Sequence, residues 1–270
     1  MSLSAQSFGY VAELVRRESA VELAGKEYLV ASRLAPLARA AGLEGAHAVD
    51  RYVNLVRGRR EDARRVVEAM VVTETSWFRD GAPFRALPRE LVPALGLRRR
   101  PLQVWSAGCS TGQEPYSVAM TLLDAGINDF DVLATDVSAR VLARAAAGRY
   151  DDLEVSRGLP DSALGRFLTR RGDAWHVRPA VRGRVTLRRH NLLEPGPPAH
   201  GRFDVVFLRN VLMYFDLRTR GAVLERVRSV LAPDGFLVLG TTETPLGIDP
   251  AWVRVKIPGT SIYRLLGGPA

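Results

Sequence analysis

Lysine is almost missing from this chain: of its 38 basic residues only Lys26 and Lys256 are lysine, and the rest are arginine. Cysteine is rarer still. The single Cys109 excludes an intramolecular disulfide framework and a cysteine-rich zinc site. Four scattered histidines, His47, His176, His190 and His200, have no metal-ligand spacing, so no metal is expected. No apolar run approaches the ~20 residues of a bilayer-spanning helix. The opening MSLSAQSFGYVAELVRRES lacks the basic, apolar, cleavable order of a secretory signal. A cytoplasmic chain without membrane insertion is the expectation. No internal repeat or low-complexity tract is present, and the 47% apolar and 25% charged composition is that of a folded soluble domain.

What is present in excess is positive charge, +9 formally. Nucleic acid, an acidic membrane surface and an acidic protein would each suit it, and an arginine-favouring genome accounts for it equally well. At 270 residues there is room for one large α/β domain and a small extra one. Residues 1–75 carry apolar positions at helical spacing, as in Tyr10, Leu14, Val15 and Val49, Tyr52, Val53, Val56. Gly25, Pro36, Gly42, Gly45 and Gly58 cut them into short helices, a small bundle. Residues 76–101 read as a connection to the second domain, 102–270.

There the rhythm changes to short apolar strands (102–108, 131–136, 184–189, 203–210, 235–241) alternating with helices over 113–126, 138–148 and 218–235. That alternation implies a Rossmann-like α/β sheet. The segment 260–266 is expected to pair back on 235–241 as a reversed edge strand. The interval 149–183 breaks the rhythm and suggests a small antiparallel β insertion.

The first strand runs through SAGCSTGQEPYS (106–117) straight into a helix. A helix N-terminus offers free N–H groups, and Gly108 and Gly112 let backbone approach a ligand closely. Their G-x-x-x-G spacing satisfies neither the dinucleotide fingerprint nor the P-loop. Asp136, ending the second strand, is placed to accept hydrogen bonds from both hydroxyls of a ribose. Glu114 puts negative charge where a pyrophosphate would otherwise sit, which favours a ligand with an ammonium or sulfonium group. S-adenosylmethionine has a nucleoside and both cations. Each acid also has a plainer reading: Glu114 can complement the helix dipole, and Asp136 can cap the helix that begins near Ser138.

Four blocks in order, TETSWFR (73–79), VWSAGCSTGQEPYS (104–117), TDVSARVLARAAAGRY (135–150) and FDVVFLRNVLMYFD (203–216), with NLLEP (191–195), resemble the CheR-type chemotaxis receptor glutamate methyltransferases. The resemblance covers nearly the whole chain. It implies that Thr75 and Arg79 reach the methionyl end of S-adenosylmethionine, that Glu114 and Asp136 hold its amino group and ribose, and that Asn191 and Leu192 line the adenine pocket. Asn210 and Tyr214 would border the transferred methyl. Where many relatives have Asn this chain has Thr73, so no contact is carried onto that position. Trp77 and Phe78 read as packing at the domain junction.

The implied partners are the glutamate-rich cytoplasmic helices of methyl-accepting chemoreceptors, the product being S-adenosylhomocysteine. An ionised glutamate side chain needs no general base. Alignment and desolvation are then the enzyme's task, with Arg79 steering the carboxylate and Tyr214 positioning it through its hydroxyl. Arg51, Arg57, Arg60 and Arg64 give the helical domain a basic region suited to docking, or merely a solvated face. The 170–177 segment looks short for a loop that grips a receptor's C-terminal peptide. A monomer is the default. A nucleic-acid methyltransferase is the enzymatic rival, but the chain lacks an Asn/Asp-Pro-Pro-aromatic motif and a cysteine nucleophile, so no nucleic acid is expected. A noncatalytic chemosensory adaptor is the other.

Overall fold

The computed structural model describes residues 3–96, 100–197 and 202–267. The chain forms two compact units, Met1–Val72 with Tyr214–Thr219, and Thr73–Met213 with Arg220–Ala270.

The first unit holds four helices: α1 (Ala5–Ser19), α2 (Glu27–Ala40), α3 (Ala48–Val56) and α4 (Arg60–Met70). Each turns one apolar stripe inward at i, i+3, i+4 spacing: Val11, Leu14 and Val15; Val30, Leu34 and Ala38; Val49, Tyr52, Val53 and Val56; Val66, Val67 and Met70. Ser4 caps α1, accepting from Ser7 N at 3.2 Å and donating to Asp50 at 2.7 Å. Arg33 of α2 donates to Met70 O at 2.8 Å, supplying an orphan carbonyl at the end of α4 with a cation.

The second unit begins with a segment read from sequence as a connection. Its α5 (Ala82–Ala86), the π-turn Leu87–Leu91 and α6 (Val92–Leu95) put Phe84, Leu87, Leu91 and Leu95, with Trp77, into the core of this unit. Then follow β1 (Leu102–Ala107), α7 (Gln113–Asp124), β2 (Phe130–Asp136), α8 (Ala139–Ala147), β3 (Arg149–Tyr150), α9 (Asp152–Ser156), α10 (Asp161–Phe167), β4 (Leu168–Arg171) and β5 (Ala174–Val177). The chain continues through α11 (Pro179–Arg182), β6 (Val185–Arg189), β7 (Phe203–Leu208), α12 (Leu217–Val230), β8 (Leu231–Leu239), β9 (Trp252–Val255) and β10 (Ser261–Leu265).

Seven strands form one sheet in the order β6-β2-β1-β7-β8-β10-β9. The first five are parallel, and β10 runs antiparallel to β8 with Ile262 opposite Val238. Every residue of β7 is buried, the signature of a central strand covered on both faces. Chain order reverses between β1 and β7, so the crevice at the carboxyl ends of these strands is where such a sheet binds ligands. The interval 149–183 does carry an antiparallel sheet, β3-β5-β4, with Tyr150 opposite Trp175 and Arg170 opposite it on the other side.

Two sequence readings are corrected. The helix expected over 218–235 stops at Val230, because the strand partnering β7 begins at Leu231. The Pro233-Asp234-Gly235 turn signal sits inside β8, where the register jumps between Phe203↔Leu231 and Val205↔Phe236. The edge strand β9 was not foreseen; its alternation over four residues is too short to stand out, and its pairing to β10 fixes it.

Candidate active site

Three strand ends meet at the crevice. Gly108, just past β1, donates to Thr135 O at 2.8 Å, and Cys109 donates to the same carbonyl at 2.9 Å, locking the turn onto β2. Gly108 sits at φ +83°, and a Cβ there would stand 2.7 Å from Val211 Cγ2. Gly112 at φ +97° N-caps α7, and a Cβ there would meet Ala145 Cβ at 2.9 Å and Tyr150 Oη at 3.0 Å. Gly108→Ala is therefore expected to cost about 1–3 kcal/mol through left-handed strain and the Val211 clash. Thermal unfolding checks it, and an unchanged midpoint would contradict it.

Asp136 ends β2. One carboxylate oxygen accepts from Ser110 N and the other from Ser138 N, both at 2.9 Å. The N-cap of α8 is Ser138 itself, whose hydroxyl accepts from Val141 N. Asp136 therefore ties the glycine loop to the start of α8 rather than capping that helix. His190 N donates to Asp136 O at 3.1 Å, which brings the end of β6 and the following Asn191–Leu192 turn alongside. Asn191 Oδ1 accepts from Leu193 N at 3.1 Å and shapes that turn.

Glu114, in the first turn of α7, faces back under the strand ends. Ser106 Oγ donates to it at 2.8 Å and Arg209 Nη1 at 3.1 Å. Arg209 follows β7, and its side chain is 1% exposed. Its Nη2 donates to Asp80 at 2.6 Å and to Arg79 O at 2.8 Å, and its guanidinium lies 5.6 Å from the Phe84 ring centre. Its buried Nε has no hydrogen-bond partner among the described residues. Burial raises the Glu114 carboxyl above the ordinary carboxylate range, against the opposing pull of Arg209, Ser106 and Arg79.

The 73–81 segment reaches the crevice through two anchors: Ser110 Oγ donates to Thr73 O at 2.7 Å, and Arg209 holds Arg79 O. Thr75 and Arg79 ride on it. Phe78 and Asp80 both adopt positive φ, at 45° and 65°, so the segment is bent sharply on either side of Arg79. Trp77 packs edge-on to Tyr150 at 4.9 Å within the core of the second unit. Asn210, the residue after Arg209, is also left-handed at φ 58°. Tyr214 falls in the short stretch that belongs with the helical unit.

Sequence reasoning thus named Gly108, Glu114, Asp136, Asn191, Leu192, Asn210, Thr75 and Arg79; Asp136 ends β2, Glu114 lies in the first turn of α7, and the others lie on the connecting segments of the same unit. It missed Arg209 and Glu243. A charged residue closing an apolar strand reads as a surface residue, and only the acids that surround Arg209 in space give it away. Burial pushes the Cys109 thiol well above its ordinary range, helped by Asp136 and Glu114, so it stays protonated. Among the described residues no group of three His, Cys, Asp or Glu side chains could hold a metal; His200 lies outside them.

Residues 73–255 match the family model "CheR methyltransferase, SAM binding domain". The chain belongs to the CheR methyltransferase family. It is 38% identical to the "Chemotaxis protein methyltransferase" of Vibrio parahaemolyticus over 89% of each chain. It is likewise 38% identical to "Chemotaxis protein methyltransferase 1" of Pseudomonas aeruginosa, over 88% of this chain and 90% of that one. From the same organism, the "Probable biofilm formation methyltransferase WspC" is 37% identical over 81% of this chain and 53% of its own length.

The crevice of this CheR-family chain fits S-adenosylmethionine on its own chemistry. Glu114 is a buried acid that the surrounding cations do not fully compensate, so a ligand bringing positive charge is accommodated there. The close packing at Gly108 and Gly112 keeps the loop backbone bare of side chains. When bound, S-adenosylmethionine supplies an electrophilic methyl group on a positively charged sulfur.

Proposed function

We propose that this chain methylates glutamate side chains of methyl-accepting chemoreceptors, giving methyl esters for sensory adaptation. The observation that carries the reading is the 38% identity to chemotaxis protein methyltransferases, which extends over 89% of the chain and so through both units. The crevice chemistry supports it: the carboxylates of Glu114 and Asp136 suit a cationic nucleoside, and the Cys109 thiol stays protonated.

In this reading Glu114 holds the ammonium of S-adenosylmethionine, Asp136 the ribose, and Asn191 with Leu192 the adenine. Thr75 and Arg79 address the carboxylate end, and Asn210 and Tyr214 border the reacting methyl. A receptor glutamate has an ordinary pKa of about 4.3, so it arrives ionised at neutral pH and attacks without proton transfer. Arg79 is suited to orient that carboxylate. Its positive charge acts on Glu114, pulling that carboxyl's pKa down, and its backbone carbonyl accepts from Arg209 at 2.8 Å. Holding the nucleophile in line with the methyl–sulfur bond and free of water provides the acceleration.

The helical unit supplies the docking surface. Arg57, Arg60 and Arg64 are exposed and have no acidic partner among the described residues, whereas Arg65 is matched with Glu61 and Asp62. Arg57 lies over the Tyr10 ring at 5.0 Å, and Arg51 donates to Glu44 O. Acidic receptor helices complement this charge, and exposed pairs of this kind act on encounter more than on final affinity. Reversing Arg57, Arg60 and Arg64 to glutamate is expected to cut receptor methylation at least tenfold at low salt. Raising ionic strength would shrink the difference. Unchanged rates at low salt would make these arginines a solvated face.

The deciding experiment transfers tritiated methyl from S-adenosylmethionine to receptor-bearing membranes, then releases volatile methanol with brief alkali. Alkali-labile label on receptor is the expected result. Stable label on protein, or label on RNA or DNA alone, would overturn the substrate, and cofactor binding without label would favour an adaptor.

A further inference from the structure

Among the described residues, Glu243 is a buried carboxylate outside the motif blocks and outside the cofactor contacts proposed above. Glu243 lies three residues past Gly240, just beyond β8, and only 6% of it is exposed. One of its oxygens accepts from Asn210 N at 2.7 Å and from Gly240 N at 2.9 Å. The other accepts from Met213 N at 3.2 Å. Among the described residues no cation is paired with it, so its charge is met by backbone dipoles alone.

We infer that Glu243 is a positioning residue for methyl transfer, clasping the carboxyl ends of β7 and β8 so that Asn210 is held in its left-handed conformation beside the reacting methyl. The inference rests on the role proposed above for Asn210. Three features of the geometry support it. Asn210 is one of five non-glycine residues with positive φ among the described residues, a conformation costing about 1 kcal/mol or more that must be held by its surroundings. The strongest hold on it is the charge-assisted bond from its own N–H to Glu243. The approach is also close: a Cβ at Gly240 would stand 2.8 Å from both Asn210 Nδ2 and Glu243 Oε2, so the two strand ends and the carboxylate interlock without slack. Finally, the Met213 bond extends the grip over 210–213, the turn that leads directly into Tyr214.

A carboxylate accepting three backbone donors can be replaced in shape but not in function by an amide. In Glu243→Gln one carbonyl oxygen can keep the Asn210 and Gly240 bonds, while the amide nitrogen must face the Met213 N–H, donor against donor. The turn should then loosen without unfolding the sheet.

The test compares Glu243→Gln, Glu243→Asp, Asn210→Ala and the Glu243→Gln/Asn210→Ala double variant. Sites are counted by S-adenosylmethionine titration, and kcat and KM are measured with receptor membranes. The expected outcome for Glu243→Gln is a ten- to hundredfold fall in kcat per cofactor-binding site, with cofactor affinity within about threefold of the parent. The double variant should be little slower than Asn210→Ala alone, since both act through one group. An unchanged kcat per site in Glu243→Gln, or fully multiplicative losses in the double variant, would overturn the inference. Should Glu243→Gln fail to fold, Glu243→Asp, which retains the charge but not the reach, carries the same comparison. If Asn210→Ala alone turns over normally, the failure lies in the role given to Asn210, and the positioning claim falls with it.

Discussion

Replacing Arg209 with leucine is expected to lower the stability of the methyltransferase unit by about 3–5 kcal/mol, the cost of leaving buried charge without its partner. For a chain of this size that corresponds to a melting point lower by about 10 °C. The two carboxylates that lose Arg209 are not equivalent. Asp80 keeps 29% of its side-chain surface in solvent and can rehydrate, whereas Glu114 keeps 12%. Glu114 therefore sets the size of the loss. Leucine would also leave Arg79 O without its donor, freeing the segment that carries Thr75 and Arg79. The double variant Arg209→Leu/Glu114→Leu separates these effects. Removing both charges should recover most of the stability, because an apolar pair of similar volume is often as stable as a buried ion pair, yet cofactor binding should stay lost. A melting point of Arg209→Leu within about 2 °C of the parent would show that water reaches Glu114 freely.

The same buried cluster marks where sequence reasoning stopped. The βα alternation was readable because strands buried on both faces are short apolar runs, as in Val104–Trp105, Val205–Leu208 and Leu237–Leu239. The helical unit was readable because its stripes repeat at helical spacing. The local placement of several proposed site residues was also readable: glycines in a strand-to-helix turn, an acid ending a strand, an acid in the first helical turn. Arg209 and Glu243 have no such signature. Each is defined by partners far away in sequence, Glu114 and Asp80 for the one, Asn210 and Met213 for the other. Asp136 shows the opposite case. The reading of it as the cap of α8 gives way to Ser138, and its two oxygens instead bind the Ser110 and Ser138 backbone, closing the glycine loop onto the start of that helix. The extent of α12 was misread for a related reason: Pro-Asp-Gly ordinarily stops a helix, but pairing to β7 takes over at Leu231.

The role proposed for Glu114 makes cofactor binding depend on pH. Its folded-state pKa stands above that of an exposed glutamate because burial outweighs the pull of Arg209. With the folded value raised, the proton favours the native state. The group's contribution to stability is complete below its unfolded pKa and is lost as pH rises through the raised folded one. An ammonium bound beside Glu114 favours the carboxylate instead. Binding of S-adenosylmethionine should therefore release a proton when the titration is run within this raised range, and affinity should fall as the solution is acidified through it. Calorimetric titrations in two buffers of different ionisation enthalpy measure that proton directly. Glu114→Gln is expected to weaken binding about 10- to 100-fold at neutral pH, the value of one hydrogen bond to a charged group in a partly dry site. It should also abolish the proton release. Identical heats in both buffers for the parent protein, or an affinity for Glu114→Gln that keeps the parent's acid dependence, would place the titrating group elsewhere and remove Glu114 from the ammonium's contacts.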